Sequence, residues 1–225
     1  MNPAPIVFPH SVAISHRNAS LEEQARLNAV ALRLAKLEAK TAVIRRYSGL
    51  ATMKARGLFT EITGRRPPSG GGHVSSVSIV KKSPLIHLHA TIFAVTLHNV
   101  VTRGDNANLL AGEQFLEAYD VYCEQVRVQS DVNPVDLVKR AEKKPDWRML
   151  DINAAALIAA DLATQASVLE FCKYCNTWYF KPTEQTVGQL LEQQVSLTLQ
   201  DAANVTRCPM CRIREETLHH TTTEK

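Results

Sequence analysis

Aromatic residues are scarce in this sequence, at 6% of 225 residues, and glycine occurs only nine times. Both shortages count against an all-β sandwich, which draws on aromatic strands and glycine-rich turns. A long apolar run is missing as well. The best candidate, Ala154 to Ala160, stops at Asp161, short of the roughly 18 residues of a membrane span. Residues 1–19 lack a basic stretch followed by an apolar one, and Pro3, Pro5 and Pro9 interrupt them, so no secretory signal is read there. A cytoplasmic location without membrane contact is the expectation. No Ser/His/Asp set, carboxylate pair or phosphate loop has a suitable setting, so no catalytic residue, no small-molecule substrate and no enzyme are expected.

Helix formers are plentiful. Ser20-Leu-Glu-Glu23 reads as a capping box opening a long helix to about Tyr47, with Leu27, Val30, Leu34, Leu37 and Ile44 as its apolar stripe. Leu32 and Val43 lie off that stripe, a second face for a partner subunit to cover. Gly49 marks a turn, and a second helix is expected from about Ala51 to Thr63, stopped by Gly64. The Pro67-Pro68 and Gly70-Gly71-Gly72 segment reads as an extended connection. Val74 to Val80 is expected to be a short strand or irregular, and Leu85 to Val101 a buried helix. Helices are also expected over 108–126, from Asn133-Pro134, and from Asp151 to Glu170. His87, His89 and His98 on the buried helix read as hydrogen-bonded core residues.

The five cysteines form two pairs and a remainder. Cys172-Lys-Tyr-Cys175 and Cys208-Pro-Met-Cys211 are separated by 32 residues. A two-residue spacer lets both thiolates of a pair turn onto one ion, and two such knuckles complete a tetrahedral site. One structural zinc held by Cys172, Cys175, Cys208 and Cys211 is therefore expected. Two disulfides or an iron–sulfur cluster would use the same residues; the expected reducing compartment disfavours the first, and cluster ligands usually crowd closer in sequence than these. Cys123 reads as a core or interface thiol. Trp178, Tyr179 and Phe180 read as the core of the small cysteine-bounded lobe, with base stacking as the alternative.

Charge is unevenly spread. Between Arg26 and Lys82 there are twelve Lys or Arg against two acids, Glu38 and Glu61, on a chain of net charge +4. Such a segment fits a polyanion surface, or a solvated helical face. Thr41 to Thr63 has helix–turn–helix form. Thr52, Lys54 and Arg56 fall on the outer side of the second helix, where base edges would be met. Arg45, Arg46, Arg65 and Arg66 are placed to clamp phosphates, and Lys81 and Lys82 extend the basic run. An ordinary basic helical hairpin has the same outline.

The stretch Gly49-Leu-Ala-Thr-Met-Lys-Ala-Arg-Gly-Leu-Phe-Thr-Glu-Ile-Thr-Gly64, followed by Arg-Arg-Pro-Pro-Ser-Gly70, resembles the FlhC family of transcriptional activators. Leu85-Ile-His-Leu-His89-Ala-Thr-Ile-Phe93, Glu117-Ala-Tyr-Asp-Val-Tyr-Cys-Glu124 and the twin cysteine pairs resemble further family motifs in the same order. The resemblance implies a zinc-bearing, DNA-binding subunit of a hetero-oligomer with an FlhD-like partner. It also implies recruitment of RNA polymerase to promoters of flagellar or, in divergent members, conjugative-transfer genes. A protein-interaction adaptor stabilised by zinc, without DNA contact, is the second reading. The fold expected is mainly α: a flexible leader over 1–19, a helical DNA-binding and partner-binding body over 20–170, a zinc lobe over 171–214 and a polar tail over 215–225.

Overall fold

A computed structural model describes residues 19–68, 75–103, 109–131, 149–192 and 197–222. The leader before Ala19, the glycine-rich connection and the helix expected from Asn133-Pro134 lie outside them. The described chain is mainly helical, with a single two-stranded sheet.

The capping box forms as expected: Ser20 Oγ accepts from the Glu23 amide at 3.2 Å, and Glu23 accepts from the Ser20 amide at 2.8 Å. The helix it opens is shorter than the apolar stripe predicts. α1 (Leu21–Lys36) ends where Glu38 adopts φ 58°, and α2 (Thr41–Ser48) starts afresh. The break is held by the Ala39 amide on Leu34 O at 3.0 Å, and by Asn153, which accepts the Lys40 amide at 2.7 Å. Because the chain reverses there, α2 folds back on α1. Gly49, at φ 66°, then turns it into α3 (Thr52–Thr63), which ends at Gly64 with φ 68°. Left-handed backbone is nearly free for glycine, and the two glycines read as stops in the sequence are the two helix caps. α1, α2 and α3 pack on one another around Leu34, Ile44, Ala55 and Phe59.

Val77, Ile79 and Val80 belong to a short helix, α4 (Ser76–Val80), rather than a strand. It is opened by the Ser75 side chain and tied by Ser76 to Asp161. α5 (Pro84–Thr102) is the central element. By length and composition it would suffice to cross a bilayer, although histidine, threonine and asparagine interrupt its apolar residues. Here it is the core helix, burying Phe93, Ala94 and Leu97 among its neighbours.

α6 (Ala111–Asp131) runs along α5 and closes on α1 and α2. Phe115 stacks on Tyr47 with ring centroids 4.2 Å apart, and a Cβ at Gly112 would lie 2.7 Å from both Tyr47 O and Val30 Cγ1. Only glycine lets α6 approach that closely. α7 (Ile152–Ala163) is capped by Asp151, whose carboxylate accepts two amides at 2.8 Å.

The helix expected to run on to Glu170 stops at Ala163. Gln165 turns left-handed at φ 59°, and β1 (Ser167–Cys172) pairs antiparallel with β2 (Thr177–Pro182), Cys172 opposite Thr177. α8 (Glu184–Glu192), α9 (Leu199–Thr206) and α10 (Pro209–Thr222) follow, so the expected polar tail is helical as far as Thr222.

The hairpin is joined to the helical body. Phe180 donates its amide to Thr91 Oγ1 at 3.1 Å and accepts from His87 Nε2 at 2.6 Å. Leu169, Phe180, Val187 and Val205 share one core with Phe93 and Ile158. Trp178, Tyr179 and Phe180 therefore do not make a separate lobe core: Phe180 joins the body, and Tyr179 packs on the cysteines.

His87 is fully buried, and its Nδ1 has no partner. Burial lowers its pKa from 6.5 to about 4. Between those values the unfolded chain takes up a proton that the folded protein refuses. Stability is therefore full above pH 6.5 and falls as pH drops toward 4. Over the whole window the loss is on the order of 3 kcal/mol. Urea melts at neutral pH and near pH 5 are expected to show the wild type's advantage over His87→Gln shrinking by about 2 kcal/mol. An advantage independent of pH would show that His87 titrates normally in the fold.

Candidate metal centre and basic helix pair

The four paired cysteines meet in space. Cys172 ends β1, Cys175 lies in the hairpin turn, Cys208 precedes α10 and Cys211 is in its first turn. The turn can present both of its sulfurs because Asn176 adopts φ 56° and donates its amide to Cys172 O at 2.8 Å. On the other side, the Arg212 amide donates to Cys208 O at 3.2 Å and sets the helical turn.

All four sulfurs lie within 4.8 Å of one another. Across the two knuckles, Cys172 Sγ is 3.7 Å from Cys211 Sγ, and Cys175 Sγ is 3.5 Å from Cys208 Sγ. A disulfide would bring two sulfurs to about 2.05 Å, and all five cysteines are free. Tetrahedral zinc, with bonds of about 2.3 Å, implies sulfur–sulfur edges of about 3.8 Å. The separations and the all-sulfur donor set thus fit a single metal ion, and zinc by chemistry. Bound zinc would hold the four as thiolates and staple the hairpin to α10. Four protein ligands leave it no open position for catalysis.

The thiols themselves carry the mark of crowding. Burial, then the neighbouring sulfurs, push Cys211 up to about 12. Cys208 rises to about 11, burial again leading, although the Cys211 and Met210 amides pull the other way. Cys175 is also raised by burial, but hydrogen bonds from Thr177, at 3.0 Å, and from the other cysteines outweigh this and bring it to about 7. Without a cation the cluster resists full ionisation, because each further thiolate would repel the first.

Around the sulfurs is a polar shell that the cysteine spacing did not reveal. Tyr179 Oη lies 3.0 Å from Glu170 Oε1 and 3.2 Å from Thr206 O, and Lys181 Nζ donates to Glu170 at 2.8 Å. Arg212, buried, donates to Asn204 O at 3.1 Å. These bonds tie the strands to the end of α9. A groove of about 820 Å³, bounded by Tyr174, Lys173, Arg207 and Arg214, leads to Cys172, Cys208 and Cys211.

No family model and no curated protein matches this chain.

The basic residues singled out in the sequence fall into two groups. Arg45, Arg46, Lys54, Arg56 and Arg66 are exposed, and Thr52 is half-buried at the start of α3. Arg65 is ion-paired with Glu38 on the surface. Lys81 faces Asp201 of α9 at 3.8 Å, and Lys82 is exposed. α2 and α3 are joined by the three-residue turn Gly49-Leu50-Ala51, and α1 packs across both. No side chain caps the N-terminus of α3, and its first turn holds no acid. A cationic helix start of that kind attracts anions.

Proposed function

We propose that this chain is a DNA-binding transcriptional activator subunit similar to FlhC. On this reading it acts in a hetero-oligomer with an FlhD-like partner and recruits RNA polymerase to promoters of flagellar or conjugative-transfer genes in the cytoplasm. The observation that carries the reading is the three-helix unit α1–α2–α3. Its second and third helices meet at a glycine turn, the third bears exposed Lys54 and Arg56, and the second bears exposed Arg45 and Arg46. A helix held this way enters the major groove with its N-terminal residues toward base edges, while flanking arginines bind phosphates. The four-cysteine centre supports the reading as a structural zinc site that fixes the C-terminal elements against α5; the protein has no catalytic role.

One observation favours the adaptor reading. Leu21 and Leu32 lie on one side of α1 and are 86% and 38% exposed, a surface suited to another protein. A mobility-shift series over promoter fragments, with and without an FlhD-like subunit, separates the two. Retarded, salt-sensitive complexes are expected; protein capture without duplex retardation in either case would favour the adaptor.

A further inference from the structure

The exposed side of α3 has a bare centre. Ala55 and Phe59 are buried, and Leu58 and Ile62 pack against the same core. The opposite side is Met53, Lys54, Gly57, Thr60 and Glu61, all exposed, with Met53 at 75%. Gly57 lies in the middle of this patch, three or four residues from each of the other four, which is one helical turn.

Nothing among the described residues requires glycine at this position. A Cβ built on Gly57 meets no atom within 4 Å. Its backbone is ordinary helix, since the positive-φ glycines are Gly49 and Gly64. Mid-helix glycine also costs stability relative to alanine. On an exposed helix face, a glycine with no internal role lets a ligand come close to the backbone.

We infer that Gly57 is the point of closest approach between α3 and a DNA duplex. The inference rests on the DNA-binding reading above. Charge complementarity selects the occupant. Lys54 and Arg56 stand three residues and one residue before the glycine, Arg45, Arg46 and Arg66 are further exposed cations of α2 and just past the end of α3, and Glu61 is the one acid on this face. Without a side chain at Gly57 the helix axis can sit deeper in the groove. Lys54 and Arg56 then reach phosphates on either side, and Met53 lies against base edges or thymine methyls. Glu61, a turn further on, is placed to accept from a cytosine amino group.

The test measures full-length wild type, Gly57→Ala and Gly57→Leu for melting temperature and for affinity to short random-sequence duplexes by anisotropy. Gly57→Ala is expected to raise the melting temperature by roughly 2–4 °C, because it improves the helix and displaces nothing. Its duplex affinity is expected to fall roughly tenfold, and that of Gly57→Leu further, because the added carbons hold the helix out of the groove. A more stable protein that binds DNA less well is the signature. Equal duplex affinity for wild type and Gly57→Ala would overturn the inference and leave the DNA-binding reading standing. Failure of the wild type to bind any duplex, both alone and with an FlhD-like subunit, would overturn both.

Discussion

Cys208→Ala is expected to lose the metal and, with it, the fold of the C-terminal elements. Apparent binding energies of structural zinc run to about 10–16 kcal/mol, comparable to the whole stability of a domain, about 5–15 kcal/mol. The effect should spread beyond the knuckles, because Phe180 binds α5 through both of its main-chain groups, and Leu169, Val187 and Val205 share the body's core. Losing about 4 kcal/mol or more of that linkage would lower the melting temperature by roughly 10 °C or more. A strong chelator, which can reach Cys211 through the adjoining groove, should reproduce the effect, and zinc should reverse it. Cys123→Ser is the control: Cys123 is half-buried on α6 and apart from the cluster. Measured zinc content and thermal melts decide the matter. A Cys208→Ala protein that keeps its zinc and melts like wild type would remove the metal centre from the account.

The second large effect concerns the basic face. Lys54 and Arg56 are exposed and hold no packed position, so Lys54→Ala with Arg56→Ala should leave the melting temperature nearly unchanged. If both contact phosphates, the double variant loses two counterion-releasing contacts. The slope of log affinity against log salt should then become shallower by about 2, and affinity at low salt should fall on the order of a hundredfold. Lys173→Ala, an exposed cation on the hairpin turn, should have no comparable effect. Equal losses for both variants would mean that DNA meets the protein by overall charge and not through α3.

The pattern of these effects follows from which features were legible in the sequence. The Ser20 capping box, the Gly49 turn, the Gly64 stop and the four-cysteine cluster are local: each is a few residues whose chemistry decides their own geometry. The break after α1 was hidden because Glu38, a poor left-handed residue, takes the place a glycine would announce. Its conformation is enforced from outside, through Asn153 and the buried Ala39. Gln165 conceals the end of α7 in the same way, so β1 was read as more helix. The docking of Phe180 on His87 and Thr91 joins residues about ninety positions apart, and no spacing rule reaches that far. His87 is the hydrogen-bonded core residue its helix position suggests, and its partner, Phe180 O, is set by the fold.

The most direct test of DNA binding through the α2–α3 surface is the affinity of the full-length wild-type protein for duplex DNA as a function of salt. With Arg45, Arg46, Lys54 and Arg56 on phosphates, the account predicts a log–log slope near −4, from about −0.9 per contact. Binding that is absent at low salt both with and without an FlhD-like subunit, or that does not change as salt is raised, would contradict it.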